Sequence, residues 1–435
     1  MSIYFGTDGI RGEVNKDLNF EVSYKCGNAL SVLKDNVKIV LGKDTRTSGD
    51  FISLAFSCGV VTGGGSVIDV GVVPTACISY LVKKLGCDYG VVISASHNPP
   101  RYNGIKIFDE NGDKISIMTE TQIEKQFIHN NIASYKEVGS YIQRPHIAKS
   151  YLEFLVDAGV SLKNLKIALD CSNGASGGFA PKVFKRLGAK VYALNTSRNG
   201  LKINRECGSL YPQVISEAVK KYKCDMGFAF DGDSDRIIAV DENGDILDGD
   251  IITYVLATHF KKNNTLQNNG VVGTTQTNMG IIRSLKEQGI NFFASDVGDK
   301  YVIEMMKEKN LLLGGEQSGH IIIGKHLGTG DGILCGVILA SIVKSEKTKL
   351  SALAQVKLMP QANANVSVLD KFRIINAQEL KTEIDECREI IGAGRIVVRA
   401  SGTENKIRIM VEGEDEVQNQ VLLERIVKKV ESFNV

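Results

Sequence analysis

The chain has 435 residues, 43% hydrophobic and 23% charged, with 52 Lys and Arg against 50 Asp and Glu for a formal charge of +2. This is ordinary globular composition, enough for two to four domains at ~100–200 residues each. Basic residues are dispersed along the chain, so no electrostatic case arises for nucleic acid or a membrane surface as partner. The longest apolar run, ILCGVILASIV at 333–343, falls far short of the ~20 residues that a membrane span needs. The opening MSIYFGTDGIRG lacks a basic region followed by a long apolar one, so no secretory leader is expected. Nine cysteines without a C-x-x-C pair predict reduced thiols, a cytoplasmic location and no zinc site.

In chain order, VKIVLGKDTRTSGDFISLAFSCGVVTGGGSVIDVG (37–71) reads as strand, polar loop, helix, glycine stop and strand. CDYGVVISAS (87–96) is an apolar strand running into a polar loop, then a second strand and the turn DENGD (109–113). Both plans recur. LKIALDCSNGASGGFAPKVFKRLGAKVYALN (165–195) repeats the first, and CDMGFAFDGDSD (224–235) repeats the second, again followed by DENGD (241–245). A third copy, GVVGTTQTNMGIIRSLKEQGINFFASDVG (270–298), continues to LLLGGEQSGHIIIGK (311–325). The end of the chain differs: a strand, polar loop and strand precede a helix with apolar Val421, Leu422, Ile426 and Val430. Near-continuous apolar strands alternating with helices predict an α/β fold with mixed, mostly parallel sheets. Three related α/β domains are expected at 1–148, 149–250 and 251–360, with a smaller α+β domain at 361–435. Each polar loop falls at the carboxyl end of an apolar strand, where open α/β sheets place ligands. Loops 94–103, 231–236, 315–320 and 399–404 are therefore expected to meet at one cleft.

FDGDSDR places Asp231, Asp233 and Asp235 at alternating positions, so an extended segment would put their carboxylates on one face. Three crowded hard oxygen ligands suit Mg²⁺ or Ca²⁺. An EF-hand loop is excluded because its sixth position needs Gly and holds Arg236. An acidic surface turn is the plain alternative. Ser96 beside His97 suggests a hydrolase, but adjacent side chains in an extended loop point apart and no G-x-S-x-G elbow is present. A serine that carries a phosphoryl group, docked on the metal of the repeat-related loop, fits better, with a capping serine as the alternative. Lys106 can stabilise transferring phosphate or act as a base. Arg399, Ser401, Gly402 and Thr403 form a plausible phosphate clamp, or an ordinary hairpin, and Arg408 is placed with them in the substrate-binding set. Glu316, Ser318 and His320 follow a Leu-rich strand and suit sugar recognition, or a turn. Arg11 and Arg46 are further anion-binding candidates. His129, His146, His259 and His326 show no ligand spacing and read as structural. VTGGGS (61–66) reads as a helix stop and GTGDGI (328–333) as a helix start.

S-A-S-H-N-P, F-D-G-D-x-D-R, G-E-Q-S-G-H and S-G-T-E, in this order, resemble the α-D-phosphohexomutase superfamily. The opening F-G-T-D-G-I-R-G with G-E-Q-S-G-H resembles its phosphoglucosamine mutase branch. The resemblance implies four domains around a central cleft and reversible conversion of glucosamine 6-phosphate to glucosamine 1-phosphate, feeding UDP-N-acetylglucosamine and cell-wall precursor synthesis. It implies a phosphoserine at Ser96, one Mg²⁺ on Ser96, Asp231, Asp233 and Asp235, and a 1,6-bisphosphate of glucosamine or glucose as intermediate and activator. His97, Lys106 and Arg11 would assist transfer, Glu316, Ser318 and His320 would hold the sugar, and the Arg399 loop would grip the other phosphate. A monomer or homodimer is expected. Phosphomannomutase or phosphoglucomutase activity is the alternative within the resemblance, and a Mg²⁺-dependent sugar phosphatase outside it. Ser234, Lys300 and Asn405 depart from the usual Gly or Ala, Arg and Pro.

Overall fold

A computed structural model of the chain describes residues 4–6, 8–129, 137–401 and 405–434. Its strands form four sheets, and the first three follow the three sequence copies. The first holds β1 (Phe5–Gly6), β2 (Gly9–Glu13), β3 (Lys38–Lys43), β4 (Ser66–Val72), β5 (Tyr89–Ile93), β6 (Tyr102–Phe108) and β7 (Ser140–Gln143), in the order β1-β2-β6-β5-β3-β4-β7. The second holds β8 (Lys166–Asp170), β9 (Lys190–Leu194), β10 (Met226–Phe230), β11 (Ile237–Val240) and β12 (Ile246–Leu247), in the order β12-β11-β10-β8-β9. The third holds β13 (Gly270–Thr274), β14 (Asn291–Ser295), β15 (Leu313–Gly315) and β16 (Ile321–Ile323), in the order β14-β13-β15-β16. In each, parallel pairs carry the helix crossovers, and an antiparallel hairpin recurs at the same place in the repeat: β5–β6, β10–β11 and β15–β16. The loop of that hairpin is the polar loop of the sequence repeat.

The apolar runs explain this arrangement. β10 is buried along its whole length and β5 at all but its first residue, as strands covered on both faces must be. Both DENGD turns close in the same way. Asp109 Oδ1 accepts the N–H groups of Asn111 and Asp113, and Asp241 Oδ1 those of Asn243 and Asp245. Their glycines, Gly112 and Gly244, take φ of +74° and +89°, which a side chain would oppose. GTGDGI does start a helix, Gly332–Glu346, capped by Asp331, whose side chain accepts from Leu334 N. Among the described residues no helix is long and apolar enough to cross a membrane.

The chain divides into two compact bodies: Met1–Thr275 with Gln288–Gln355, and Gln276–Glu287 with Val356–Val435. The second contains a sheet of β17 (Gln361–Ser367), β18 (Arg395–Ala400) and β19 (Lys406–Glu412) in the order β17-β19-β18. Helix Glu416–Glu431 buries Leu422, Leu423, Ile426 and Val430 in its core, whereas Val421 is exposed. β17 and helix Gln378–Ile391 belong to the same core and were not read from the sequence.

Candidate active site

Ser96 sits in the β5–β6 loop, fully buried, with φ of +52°. Its N–H donates to Ser94 Oγ at 2.9 Å, and Ser94 Oγ donates to Asp44 Oδ2 at 2.6 Å. Arg46 supports the loop from beneath. Its guanidinium donates to Asp44 Oδ2 and to the carbonyls of Ser96, Asn98, Pro99 and Tyr102, at 2.6–3.0 Å. The expectation that Arg46 binds an anion is therefore corrected: its donors are spent on the loop backbone. Asn204 Nδ2 bonds the Ser96 carbonyl at 2.8 Å and that of Asn98 at 3.1 Å. The argument that Ser96 and His97 side chains point apart also fails, because the backbone is left-handed at Ser96 and not extended. His97 Nδ1 lies 3.4 Å from Ser96 Oγ. Burial, together with the cations Arg236 and Arg11, pushes the His97 imidazole down to about 3, so it is neutral at pH 7.

Asp231, Asp233 and Asp235 bring one carboxylate oxygen each to within 4.8 Å of one another, the one such cluster among the described residues. Convergence comes from a turn, not from strand alternation: Ser234 N donates to Asp231 O at 3.1 Å and Ser234 has φ of +64°. Ser96 Oγ donates to Asp231 Oδ2 at 2.5 Å and lies 3.5 Å from Asp235 Oδ1. Asp233 Oδ2 accepts from Thr75 Oγ1 at 2.6 Å and Lys106 Nζ at 2.8 Å, while its buried Oδ1 finds no hydrogen-bond partner among the described residues. An orphaned carboxylate oxygen beside two more carboxylates is the donor set a hard divalent cation takes. Burial, then Asp235 and Asp233, push the Asp231 carboxyl well above the usual range. Burial also pushes Asp235 up, but Lys106, His320 and Arg236 together outweigh it and hold Asp235 well below. Gly232 is required for close approach, since a Cβ there would lie 2.6 Å from Ser96 O.

Lys106, on β6, reaches Asp233 and Asp235 at 2.8 Å and Asp8 at 3.0 Å. Burial pushes its ammonium down, yet these three carboxylates raise it well above its ordinary value. It therefore stays a cation. Arg11 pairs with Asp8, and Lys114 joins Asp8 to Asp299. Arg236, half-buried, donates its N–H to Asp231 Oδ1 at 3.1 Å; burial lowers its guanidinium, but Asp235, Asp231 and Glu316 raise it. Sequence reasoning missed Asp8, Thr75, Lys114 and Asn204 as members of this cluster and left Arg236 out of the site. Arg236, inside the F-D-G-D-x-D-R motif, and Asp8, inside F-G-T-D-G-I-R-G, carried a signal that could have found them.

Loop 315–320 closes a turn, with Gly319 N bonded to Glu316 O. Glu316 is buried and accepts Gly298 N–H at 3.0 Å, while Ser318 is exposed. Burial pushes the Glu316 carboxyl above its usual range. His320 is buried, with Nδ1 3.8 Å from Asp235 and Nε2 3.6 Å from Asp299 and 3.2 Å from Gly330 N. It packs behind the aspartate loop. In the second body, Arg399 and Arg408 are direct cross-strand partners on β18 and β19, on one face of the sheet. Ser401 N donates to Lys406 O, and Lys371 Nζ donates to Ser401 O at 2.6 Å. Gly402 and Thr403 lie outside the described residues.

Family models of phosphoglucomutase/phosphomannomutase match most of the sequence, in order. α/β/α domain I falls on residues 2–133, domain II on 149–244, domain III on 248–359 and the C-terminal domain on 347–429. The chain is 43% identical over 431 residues to the phosphoglucosamine mutase of Clostridioides difficile, covering 96% of each chain. It is 40% identical over 445 residues to that of Carboxydothermus hydrogenoformans, covering 100% of each. A solved phosphoglucomutase/phosphomannomutase family protein from Burkholderia thailandensis matches the fold with a TM-score of 0.84 at 24% identity, over 100% of this chain and 98% of that one. Aspergillus fumigatus N-acetylphosphoglucosamine mutase, solved in complex with GlcNAc-6P and magnesium, matches with a TM-score of 0.71 at 18% identity, over 100% and 96%.

Proposed function

Because the chain belongs to the phosphoglucomutase/phosphomannomutase family, we propose that it interconverts glucosamine 6-phosphate and glucosamine 1-phosphate through a phosphoryl group carried on Ser96. The observation that carries this reading is the Ser96 hydroxyl held 2.5 Å from Asp231 at the rim of three converging carboxylates. A phosphoryl group there would be repelled unless a divalent cation shared the loop. Asp231, Asp233, Asp235 and Ser96 would hold one Mg²⁺, which when bound offsets charge on the transferring group.

Transfer is then mainly positioning and electrostatics. The bond from phosphorus to Ser96 Oγ breaks as the free sugar hydroxyl forms its own bond to phosphorus, giving a sugar 1,6-bisphosphate. The hydroxyl's proton passes to the departing Oγ, and neutral His97, 3.4 Å from Oγ, is placed to relay it. Lys106, Arg11 and Arg236 supply fixed positive charge. The bisphosphate turns over and returns its other phosphate to Ser96, while Glu316 and Ser318 hold the sugar. Arg399, Ser401, Gly402, Thr403 and Arg408 hold the phosphate that is not transferred. Glucosamine or glucose 1,6-bisphosphate primes an unphosphorylated enzyme.

Comparing turnover of glucosamine, glucose and mannose 6-phosphates, with Ser96→Ala as control, tests the reading. The glucosamine substrate should be preferred, and Ser96→Ala should lose ~10³-fold or more in kcat. Release of inorganic phosphate without isomer would make the protein a phosphatase instead.

A further inference from the structure

We propose that Asp8 is a positioning residue for this reaction, the shared counter-charge that keeps Arg11, Lys106 and Lys114 apart and directed at the phosphoryl group on Ser96. The proposal rests on the phosphoserine reading above. Asp8 lies in the short connection between β1 and β2 and keeps only 15% of its side chain exposed. Its two oxygens divide the cations between them. Oδ2 accepts from Arg11 and lies 3.0 Å from Lys106, while Oδ1 accepts from Lys114.

Lys106 has two other carboxylate partners, but Asp233 and Asp235 belong to the cation site beside Ser96. Asp8 is the partner that stands outside that site. Lys114 continues the chain to Asp299, at the start of helix Asp299–Glu308, so one carboxylate connects the Ser96 sheet to the third repeat. Burial pushes the Asp8 carboxyl up, yet Lys106, Lys114 and Arg11 hold it well below the usual carboxylate range, so the group is ionised at neutral pH. A neutral residue of the same shape would remove the one carboxylate that Arg11, Lys106 and Lys114 share, at the edge of a small cavity lined by Asp8, Lys106, Lys114, Glu120 and Lys300. Anions would still be attracted, and more strongly. The cations would no longer be fixed where charge develops, and the tightly held bisphosphate would turn over slowly.

Asp8→Asn, Lys114→Gln and the double variant are compared with the unmodified protein in two assays: turnover of glucosamine 6-phosphate, and calorimetric binding of glucose 1,6-bisphosphate. Asp8→Asn should lower kcat ~30-fold or more while KM stays level or falls, and should bind the bisphosphate ~5-fold tighter. Lys114→Gln should weaken bisphosphate binding, the opposite sign. The double variant restores the net charge and should recover kcat ~5-fold or more over Asp8→Asn. The proposal is overturned if Asp8→Asn keeps kcat within ~3-fold, or if its kcat loss comes with a raised KM and no recovery in the double variant. If the unmodified protein does not interconvert hexosamine phosphates, the functional reading falls separately. Bisphosphate affinity then decides the role of Asp8: opposite shifts in the two single variants support it, and unchanged affinity in either refutes it.

Discussion

Arg46→Met should cost ~3–5 kcal/mol of stability in the first body and disable the Ser96 loop. The Arg46 and Asp44 side chains are both wholly buried, and the guanidinium is the cation facing that carboxylate. Breaking a buried pair by removing one partner costs ~3–5 kcal/mol, because the remaining charge has no replacement for water. The loop carbonyls add less. Asn204 still bonds those of Ser96 and Asn98, and Tyr102 N still bonds that of Pro99. Arg46→Lys keeps the charge, but three donors on one nitrogen cannot reach five acceptors spread around a planar fork, so ~1–2 kcal/mol should be lost. The left-handed backbone at Ser96 is held by this scaffold against a strain of ~1 kcal/mol or more. Its relaxation should misplace Oγ and lower kcat ~10²-fold in Arg46→Met. Urea denaturation followed by circular dichroism, alongside turnover, checks both figures. A loss below ~1 kcal/mol with near-normal turnover would refute the claim that Arg46 is the loop's support.

Gly232→Ala should leave the fold intact but displace the Ser96 carbonyl, which a Cβ would meet at 2.6 Å, and turnover should fall ~10-fold or more. Asp231→Asn removes a carboxyl that burial and its two neighbours push up, so in EDTA the variant should be as stable as the unmodified protein or more so. It should also lose most of the rise in melting temperature that Mg²⁺ gives the unmodified protein; an equal rise in both would exclude Asp231 as a ligand. Burial pushes Asp331 up to about 6 despite hydrogen bonds from Tyr151 Oη and Leu334 N. A raised carboxyl contributes stability that is present below its unfolded value near 4 and lost as pH rises through 6. Relative to Asp331→Asn, the unmodified protein should therefore lose ~3 kcal/mol between pH 4 and 7, measured by denaturation at each pH. A pH-independent difference would contradict the shift.

The repeated strand, loop and turn pattern made three sheets and the loop positions legible, because buried parallel strands leave long apolar runs. The Asp231, Asp233 and Asp235 cluster was legible for its composition, though its geometry comes from a turn at Ser234 that alternation does not foresee. Asp8 stood inside a quoted motif, but its partners were not legible, and Thr75 and Asn204 were not legible at all. Asp8 meets Lys114 across 106 positions, Thr75 meets Asp233 across 158, and Asn204 meets Ser96 across 108. Single polar residues in loops carry no periodicity, so only the folded chain connects them. Arg46 misled for a related reason: an exposed anion-binding arginine and a buried one bonding carbonyls look alike in sequence. β17 was missed because QANANVS alternates small and polar residues on an edge strand, with one fully buried position.

The central claim is that Ser96 relays phosphate, and one labelling experiment addresses it directly. The protein is incubated with Mg²⁺ and phosphate-labelled glucose 1,6-bisphosphate, the labelled residue is located by peptide mass spectrometry, and the label is chased with glucosamine 6-phosphate. The account predicts label on Ser96 alone, passing on the chase to a glucosamine 1,6-bisphosphate and then to glucosamine 1-phosphate. Label on an aspartate, or label on Ser96 that leaves only as inorganic phosphate, would contradict it.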